Sequence, residues 1–211
     1  MEKFSIIIPT MWKCDLLKPS INDYISSEFI NDIIIIDNNP NNKFDFPKSD
    51  KIKYLCKGHN IFVNPAWNWG VLESKNENLI IANDDIYIQN LDDILKKVLE
   101  LDYKILGLDY ENINKKNEIS IVKSEGHMKR GFGCFFFIKK KNYIQIPEEL
   151  KIFYGDIILY NSLKSRHKFS SMGISIELSK TIKSTNGSIE IIENSDKPLF
   201  RDKFSKIYPL L

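Results

Sequence analysis

The segment that decides the fold is Leu79-Ile80-Ile81-Ala82-Asn83-Asp84-Asp85-Ile86-Tyr87-Ile88. Residues 79–82 form a short, continuously apolar run, which is typical of a strand buried inside a sheet. The run is followed by Asp84 and Asp85, and carboxylates in that position are costly unless water or a cation meets them. Mg²⁺ and Mn²⁺ accept one or two such carboxylates and complete their shell with water and phosphate oxygens. The segment therefore predicts a divalent-metal site that also holds a diphosphate, with a plain Asn-Asp-Asp turn as the alternative.

Similar apolar runs precede and follow this segment. The strands predicted in the first half of the chain are 4–8, 33–36, 52–55, 79–82 and 104–108. Between the third and fourth of them a helix is expected to begin, with Asn64 as the N-cap and Pro65 at the first helical position. A second helix at 91–101 has one apolar face. Strands that alternate with helices predict an α/β fold around a mostly parallel sheet.

The second half of the chain has a different pattern. Its predicted elements are strands at 119–122, 134–138 and 170–178, a helix at 156–165 and a Gly-containing loop at 124–133. These strands do not alternate regularly with helices, so we expect a mixed arrangement here. No internal repeat or linker marks a boundary between the halves. The sequence predicts one domain over 1–211, with a nucleotide-binding type of half at 1–109 and a mixed half at 110–211.

Composition argues against several classes of protein. Hydrophobic residues make up 43% of the 211 residues, which is ample for a core. The 30 Lys and Arg against 28 Asp and Glu leave a net charge of +2, too small for a dedicated nucleic-acid binder. Three widely spaced cysteines indicate neither a disulfide framework nor a zinc site. No apolar run reaches the roughly 18 to 20 residues of a membrane span. We expect a soluble, cytoplasmic protein; peripheral membrane contact and oligomeric state stay open.

Polar residues follow three of the predicted strands. The first strand runs into Pro9-Thr10, the second into Asp37-Asn38-Asn39-Pro40, and the fourth into Asn83-Asp84-Asp85. In an open α/β sheet, ligands bind in the crevice at the carboxyl ends of the strands. Asp37 is suited to accept hydrogen bonds from a base or ribose, or else it forms an Asx-turn that stops its strand. The three strand ends together predict a ligand site.

Four blocks of the chain, in this order and spacing, resemble a known family. They are Phe4-Ser-Ile-Ile-Ile-Pro-Thr10, Ile33-Ile-Ile-Ile-Asp-Asn-Asn-Pro40, Asn64-Pro-Ala-Trp-Asn-Trp-Gly70 and Asn83-Asp-Asp85. They look like successive blocks of a GT-A glycosyltransferase, and the chain is most similar to glycosyltransferase family 2. The resemblance implies a Rossmann-like half at 1–109 that binds a nucleotide-diphosphate-sugar donor, and an acceptor half at 110–211. The acceptor class, whether glycan, lipid or protein, stays open.

The resemblance also implies roles for individual residues. Pro9, Thr10, Asp37 and Asn38 would lie near the nucleoside, and Asn68 near the base or ribose. Asp85, helped by Asp84, would be the Mn²⁺ or Mg²⁺ ligand of the family's Asp-x-Asp motif. The first position of that motif is Asn83 here, so Asn83 would contact the donor without carrying charge. A single carboxylate, two phosphate oxygens and waters can still complete an octahedral shell.

Two blocks of the second half also match the family, though less closely. Gly131-Phe-Gly-Cys-Phe-Phe-Phe-Ile-Lys139 resembles the Gly-rich turn and strand beneath the donor sugar, where Gly131 and Gly133 permit close approach of a ligand. Phe153-Tyr-Gly-Asp-Ile-Ile158 resembles the acidic motif whose second acid is the catalytic base. Gly155 replaces the first acid and Asp156 remains. The alternative role of Asp156 is a helix N-cap.

The resemblance leaves the remaining contacts of the diphosphate open. No His follows the last predicted strand, where many GT-A enzymes supply one. Glu177, Lys180 and Lys183 are the available substitutes, or else they are ordinary surface charges. Of the three histidines, His127 is the one expected nearest the cleft. One of Trp67 and Trp69 is expected to border the donor pocket. The tail at 198–211 is expected to pack on the domain.

The leading interpretation is a metal-dependent, inverting glycosyltransferase, with Asp85 at the metal and Asp156 as base. One rival is a nucleotidyltransferase, which expects a Gly-rich loop after the first strand, whereas Pro9-Thr-Met-Trp-Lys-Cys-Asp-Leu-Leu contains no glycine. The other rival is a non-catalytic carbohydrate- or nucleotide-binding domain with the same fold. The catalytic interpretation requires that Asp84 or Asp85 face the same cleft as Asp156.

Overall fold

An eight-stranded sheet forms the centre of the computed structural model, which describes residues 2–42, 45, 47–115, 117–177 and 188–208. The strands are β1 (Phe4–Thr10), β2 (Ile30–Asp37), β3 (Ile52–Cys56), β4 (Asn78–Ala82), β5 (Ile86–Ile88), β6 (Ile105–Leu108), β7 (Ser120–Lys123), β8 (Phe135–Lys139), β9 (Arg166–Ser170) and β10 (Ile174–Ile176). The helices are α1 (Leu17–Ser26), α2 (Val63–Glu73), α3 (Leu91–Leu99), α4 (Gly155–Ser162) and α5 (Ser188–Leu199), and α5 continues into a π-helical turn, Phe200–Phe204.

The strand order of the sheet brings the polar strand ends together. The order is β3-β2-β1-β4-β8-β6-β9-β7, and of these described strands only β7 and β8 run against the rest. The carboxyl ends of β1, β2 and β4 therefore meet the beginning of β8 at one edge, where Thr10 pairs with Asp37 and Ala82 pairs with Phe135. The second, two-stranded sheet pairs β5 with β10. The α/β fold with a mostly parallel sheet is confirmed.

The sheet is buried on both faces because alternate side chains of each strand enter different cores. In β8, Phe135 and Phe137 join one core, while Phe136 and Ile138 join the other. Helices α1 and α3 cover the first face, and α2 and α4 cover the second. This double cover explains why the strands read as continuous apolar runs.

Most predicted elements are present, with three corrections. Helix α2 begins one residue before Asn64, and Phe62, with φ of +66°, holds the cap position. Asn64 is therefore not the N-cap. Within the strand predicted at 170–178, Ser170 ends β9 and only 174–176 form a further strand, β10, because Gly173 turns the chain at φ of +74°. Asp156 is not an N-cap either, since Tyr154 holds that position of α4.

No helix within the described ranges combines the length and the apolar character that crossing a bilayer requires. Part of the predicted packing of the 198–211 tail is confirmed, because Phe200 is buried in the core beside α4. The last residues of that tail lie outside the described residues.

Candidate functional site

A cleft of about 510 Å³ opens at the edge of the sheet where β1 and β4 end and β8 begins. Its lining residues are Pro9, Thr10, Met11, Asn38, Val63, Trp67, Asn83, Asp84, Asp85, Met128, Arg130, Gly131, Gly133, Cys134, Ile152, Phe153, Tyr154, Asp156 and Ile157. Nine of the eleven residues predicted as donor-binding, metal-binding or catalytic line it. The two outside it are Asp37 and Asn68.

Asp84 joins the ends of β1 and β4. Its Oδ2 accepts hydrogen bonds from Thr10 Oγ1 at 2.7 Å and from the Met11 amide at 3.3 Å. Burial raises the pKa of the Asp84 carboxyl, and the bonds from Thr10 and Met11 act in the opposite direction. The Asp84 and Thr10 side chains thus hold each other at the base of the cleft, and one oxygen of Asp84 is already committed.

Asp85 lies in a turn that is fixed on both sides. The Asp85 carbonyl accepts a hydrogen bond from the Glu177 amide at 2.9 Å, just after β10. On the other side, the Asn83 amide donates to the Cys134 carbonyl at 2.9 Å, just before β8. Asp85 is only 4% exposed and its side chain borders the cleft. The turn therefore presents Asp85 to the cleft from a rigid backbone.

Asp156 lies directly against Gly133 on the other side of the cleft. A Cβ added to Gly133 would lie 2.3 Å from Asp156 Oδ2, so the carboxylate occupies the space that a side chain would take. Asp156 Oδ1 accepts a hydrogen bond from the Ile157 amide at 2.9 Å. Burial raises the pKa of the Asp156 carboxyl to about 6, and the backbone hydrogen bonds only partly offset this effect.

Cys134 lies within electrostatic reach of both carboxylates. Burial raises the pKa of its thiol to about 12, and the negative charges of Asp85 and Asp156 add to the increase, while Arg130 lowers it. Asp85 and Asp156 both line the cleft beside Cys134, which is the geometry that the catalytic interpretation requires.

Asp37 and Asn68 are bonded within the protein instead of lining the cleft. Asp37 Oδ1 accepts from the Asn39 amide at 2.7 Å, which is the Asx-turn, and from Trp12 Nε1 at 2.8 Å. Asn68 Oδ1 accepts from Tyr143 Oη at 2.9 Å, and Asn68 Nδ2 donates to the Ile146 carbonyl at 2.8 Å. The donor contacts of Asp37 and Asn68 stay predictions, and any such contact would have to form beside these internal bonds.

The other expectations for the cleft are met in part. Trp67 lines it, as expected for one of the two tryptophans, whereas the Trp69 ring lies under Lys57 Nζ at 4.4 Å. His127 is not among the lining residues. Glu177 Oε2 accepts a hydrogen bond from Cys14 Sγ at 3.5 Å. The proposed phosphate contacts of Lys180 and Lys183 fall outside the described residues.

Sequence reasoning missed three residues around the cleft. Arg130 lines it, and its position beside Gly131 was the available signal. Tyr154 also lines it, in a left-handed conformation with φ of +69°. Asp196, from α5, is fully buried and accepts hydrogen bonds from the backbone next to Tyr154. A single acid in a polar C-terminal segment gives no sequence signal for that role.

Comparison with known proteins supports the fold. No protein-family model and no curated protein matches the sequence. Among solved structures, S. aureus TarS 1-349 is 13% identical with a TM-score of 0.57, and the match covers 81% of this chain and 60% of that one. A mannosyltransferase, PcManGT from Pyrobaculum calidifontis in complex with GDP-Man and Mn²⁺, is 10% identical with a TM-score of 0.54 over 78% of this chain and 53% of that one. The fold is that of the GT-A glycosyltransferases.

Two further matches bear on ligands and length. TarS 1-349 has also been solved in complex with UDP-GlcNAc, at 14% identity and a TM-score of 0.54 over 81% of this chain and 58% of that one. HddC from Yersinia pseudotuberculosis is 15% identical with a TM-score of 0.52, and the match covers 81% of this chain and 91% of that one. This chain spans about 60% of the length of the TarS 1-349 structure. At these identities the likeness concerns the fold.

Proposed function

We propose that this protein is a glycosyltransferase that moves a sugar from a nucleotide-diphosphate-sugar donor to an acceptor hydroxyl with inversion. The observation that carries the proposal is the placement of Asp85 and Asp156 in one cleft at the carboxyl edge of a GT-A sheet. Ligands of open α/β sheets bind at this edge. The donor would lie along the turns after β1 and β4, and the acceptor would approach past Asp156.

The donor side of the cleft has a fixed shape. Asn38 Oδ1 accepts from the Ile61 amide at 3.0 Å, and its Nδ2 donates to the Phe62 carbonyl at 3.3 Å. These bonds hold the segment before α2 against the end of β2. In the proposal, Pro9, Thr10 and Asn38 form the nucleoside wall, Asn83 and Asp84 the floor, and Gly131 leaves room for the sugar.

The cleft residues suit a divalent cation that is bound together with the nucleotide-sugar donor. Asp85 supplies a hard carboxylate oxygen, which suits Mn²⁺ or Mg²⁺. The described residues contain no group of three or more His, Cys, Asp or Glu side chains able to hold a metal. Asp85, with Asp84 close by, would hold the cation, and phosphate oxygens of the donor would complete its shell. When bound there, the cation would offset the charge that develops on the leaving nucleoside diphosphate.

Asp156 has the properties of the base. Its pKa of about 6 leaves it mostly ionised at neutral pH and more basic than an ordinary carboxylate, which favours proton removal. In the proposed step, the acceptor oxygen bonds to the anomeric carbon and its proton passes to Asp156. The bond from the anomeric carbon to the diphosphate oxygen breaks on the opposite face, so the configuration inverts.

Arg130 is proposed as a second positive contact for the leaving diphosphate. Among the described residues that line the cleft, it is the one Lys or Arg side chain. It acts electrostatically on the Cys134 thiol, as Asp85 and Asp156 also do. A guanidinium is suited to phosphate oxygens because it presents several donors in a fixed plane. Arg130 would thus take the place of the C-terminal His of other GT-A enzymes.

The decisive experiment is a thermal-shift panel of UDP, GDP, TDP and CDP, each with and without Mn²⁺, on wild type and Asp85→Ala. A ligand that binds the folded state raises the melting temperature by mass action. We expect one nucleotide to stand out in the presence of Mn²⁺, and Asp85→Ala to lose that shift. The matched control is Asp93→Ala on α3, an exposed acid outside the cleft lining.

Two outcomes of the thermal-shift panel would count against the proposed function. No shift with any nucleotide in wild type would contradict a donor site. Mn²⁺-dependent stabilisation without transfer of sugar to any of a set of glycan, lipid and peptide acceptors would favour the non-catalytic binding domain, which the losses at Asn83 and Gly155 support.

A further inference from the structure

The loop at 150–154 is held from two sides before it reaches Asp156. On the α2 side, Asn64 Nδ2 donates to the carbonyls of Leu150 and Phe153, both at 3.0 Å, and the Asn64 amide donates to the Lys151 carbonyl at 3.0 Å. Asn64 thus engages the carbonyl groups of the loop. Residues 152–154 of this loop form part of the cleft wall.

Asp196 engages the amide groups of the same loop from the α5 side. Its Oδ2 accepts hydrogen bonds from the amides of Lys151 at 3.1 Å, Ile152 at 2.9 Å and Phe153 at 3.0 Å. The carboxylate is completely buried, so without these bonds it would be an uncompensated internal charge. Three successive amides around one carboxylate also fix the backbone direction of the loop. Asp196 therefore acts on the loop and not on the ligand.

The aromatic ring of Phe200 fixes the end of the loop. Tyr154 and Phe200 stack with their ring centroids 4.5 Å apart and their planes 10° from parallel. Tyr154 has φ of +69°, a conformation that a residue with a side chain adopts only when its surroundings impose it. The next two residues are Gly155 and Asp156 at the start of α4. The direction in which α4 presents Asp156 therefore depends on the turn at Tyr154.

We propose that the C-terminal segment, which consists of α5 and the π-helical turn at Phe200–Phe204, positions Asp156, the proposed base. Asp196 and Phe200 are positioning residues, which hold the 150–154 loop against Asn64 so that Asp156 stays beside Gly133. This inference rests on the proposed function for the role of Asp156. It adds that α5 and the π-helical turn after it belong to the catalytic unit, although their side chains Asp196 and Phe200 do not line the cleft.

The first test is hydrogen exchange on the ligand-free protein, which does not depend on activity. Asp196→Ala should exchange faster than wild type at the amides of 151–153, and Asp196→Asn, which keeps one acceptor oxygen, should recover part of the protection. The matched control is Asp202→Ala in the same segment, whose exposed carboxylate is bonded to the adjacent Arg201. Equal exchange in Asp196→Ala and wild type would overturn the proposal.

The second test is steady-state transfer with the donor identified by the thermal-shift panel. Because small misplacements of a catalytic group cost about 100-fold in rate, Asp196→Ala should lose about that factor in kcat while the melting-temperature shift with donor nucleotide persists. Asp196→Asn should regain part of the rate. An unchanged kcat in a folded Asp196→Ala would overturn the positioning role.

A second variant covers the case in which Asp196→Ala does not fold. Phe200→Leu removes the stack on Tyr154 and keeps most of the apolar volume, so faster exchange at 151–154 and a lower kcat are expected again. Wild-type-like exchange and rate in Phe200→Leu would count against the proposal. If wild type itself shows no transfer, the proposed function fails, and the exchange experiment still decides whether Asp196 fixes the loop.

Discussion

Gly133 and Asp156 depend on each other at the level of single residues. The carboxylate fills the space beside Gly133 in which an added Cβ would lie 2.3 Å from Oδ2. Gly133→Ala should therefore turn the Asp156 carboxylate away from the acceptor and reduce kcat, while donor binding persists. Steady-state kinetics measure the split between kcat and donor KM.

A double-mutant cycle tests whether this effect passes through Asp156. If Gly133→Ala acts by displacing the carboxylate, adding it to Asp156→Asn should cause no further loss of rate. Additive losses in the double variant would mean that Gly133 matters for another reason, such as room for the donor sugar.

Asp156 should also make stability depend on pH. Its folded-state pKa of about 6 lies above its ordinary value of 3.8, so the folded protein keeps a proton that the unfolded chain releases between these values. Stability from this group is therefore present below about pH 4 and is lost as the pH rises through about 6. We expect ligand-free Asp156→Asn to melt above wild type at pH 7.5, and the two to converge near pH 4. A difference in melting temperature that does not vary with pH would contradict this.

Gly155 stands where the acidic motif that 153–158 resembles carries its first acid. A Cβ added to Gly155 would lie 2.1 Å from Asn64 Oδ1, so the side chain that the motif usually carries has no space. The sequence revealed the missing acid but not its cause, because Asn64 and Gly155 lie 91 positions apart. Asn64 was predicted as a helix cap from its local context, and the tertiary contact with the 150–154 loop overrides that preference.

Helix α2 approaches the sheet closely through Gly70. A Cβ on Gly70 would lie 2.3 Å from Ile7 Cγ2 and 3.1 Å from Ile36 Cδ1, both inside the core. Gly70→Ala should therefore destabilise the protein by about 1 to 3 kcal/mol through overpacking, despite the better helix propensity of Ala. Urea unfolding measures this free energy.

Leu72→Ala on the same helix is the matched control for Gly70→Ala. Leu72 is 76% exposed, so its truncation should change the free energy of unfolding by no more than about 0.5 kcal/mol. If Gly70→Ala is as stable as this control, α2 does not need the close approach that Gly70 allows.

Strands and helices were predictable from the sequence where a single short segment carried a strong hydrophobic pattern. The strands at 4–8, 33–36 and 79–82 were found because double-sided burial makes them continuously apolar. β5 and β10 are three residues each, and they pair across more than 80 positions of the chain, so no local pattern marks them. α5 was missed because its composition is polar, and its anchor is the single buried Asp196.

At the scale of the whole molecule, ligand and metal should bind together. Asp84 and Asp85 are adjacent acids in the lining of the cleft. The described residues contain no group of three or more His, Cys, Asp or Glu side chains that could hold a metal ion without the nucleotide. We expect Mn²⁺ alone and nucleotide alone to raise the melting temperature little, and the two together to raise it by more than the sum. Calorimetric titration of nucleotide with and without Mn²⁺ checks this. A large shift with Mn²⁺ alone would point to a preformed metal site and contradict the expectation.

The general position of the site followed from topology, and its details did not. Strand ends at one edge of a parallel sheet had to converge, so the six predicted residues at the ends of β1, β2 and β4 line one cleft, which Gly131, Gly133 and Asp156 also line. Asp37 ends β2, and Asn68 lies within α2. Their hydrogen bonds to Trp12 and Tyr143, however, depend on side-chain packing that a sequence pattern does not encode.

The insertion of β8 between β4 and β6 has a consequence for how the chain matures. As the polypeptide leaves the ribosome, β4 and β6 emerge first, and the gap between them stays open until residues 135–139 follow. During that interval β4 presents an unpaired apolar edge, the kind of surface that captures other nascent chains. Phe135–Lys139 then fills that gap and, through Gly133 and Cys134, delivers one wall of the cleft in the same step. The other wall, at 152–157, and strand β9, which lies between β6 and β7, follow later, so the exposed edge is covered before the cleft is complete.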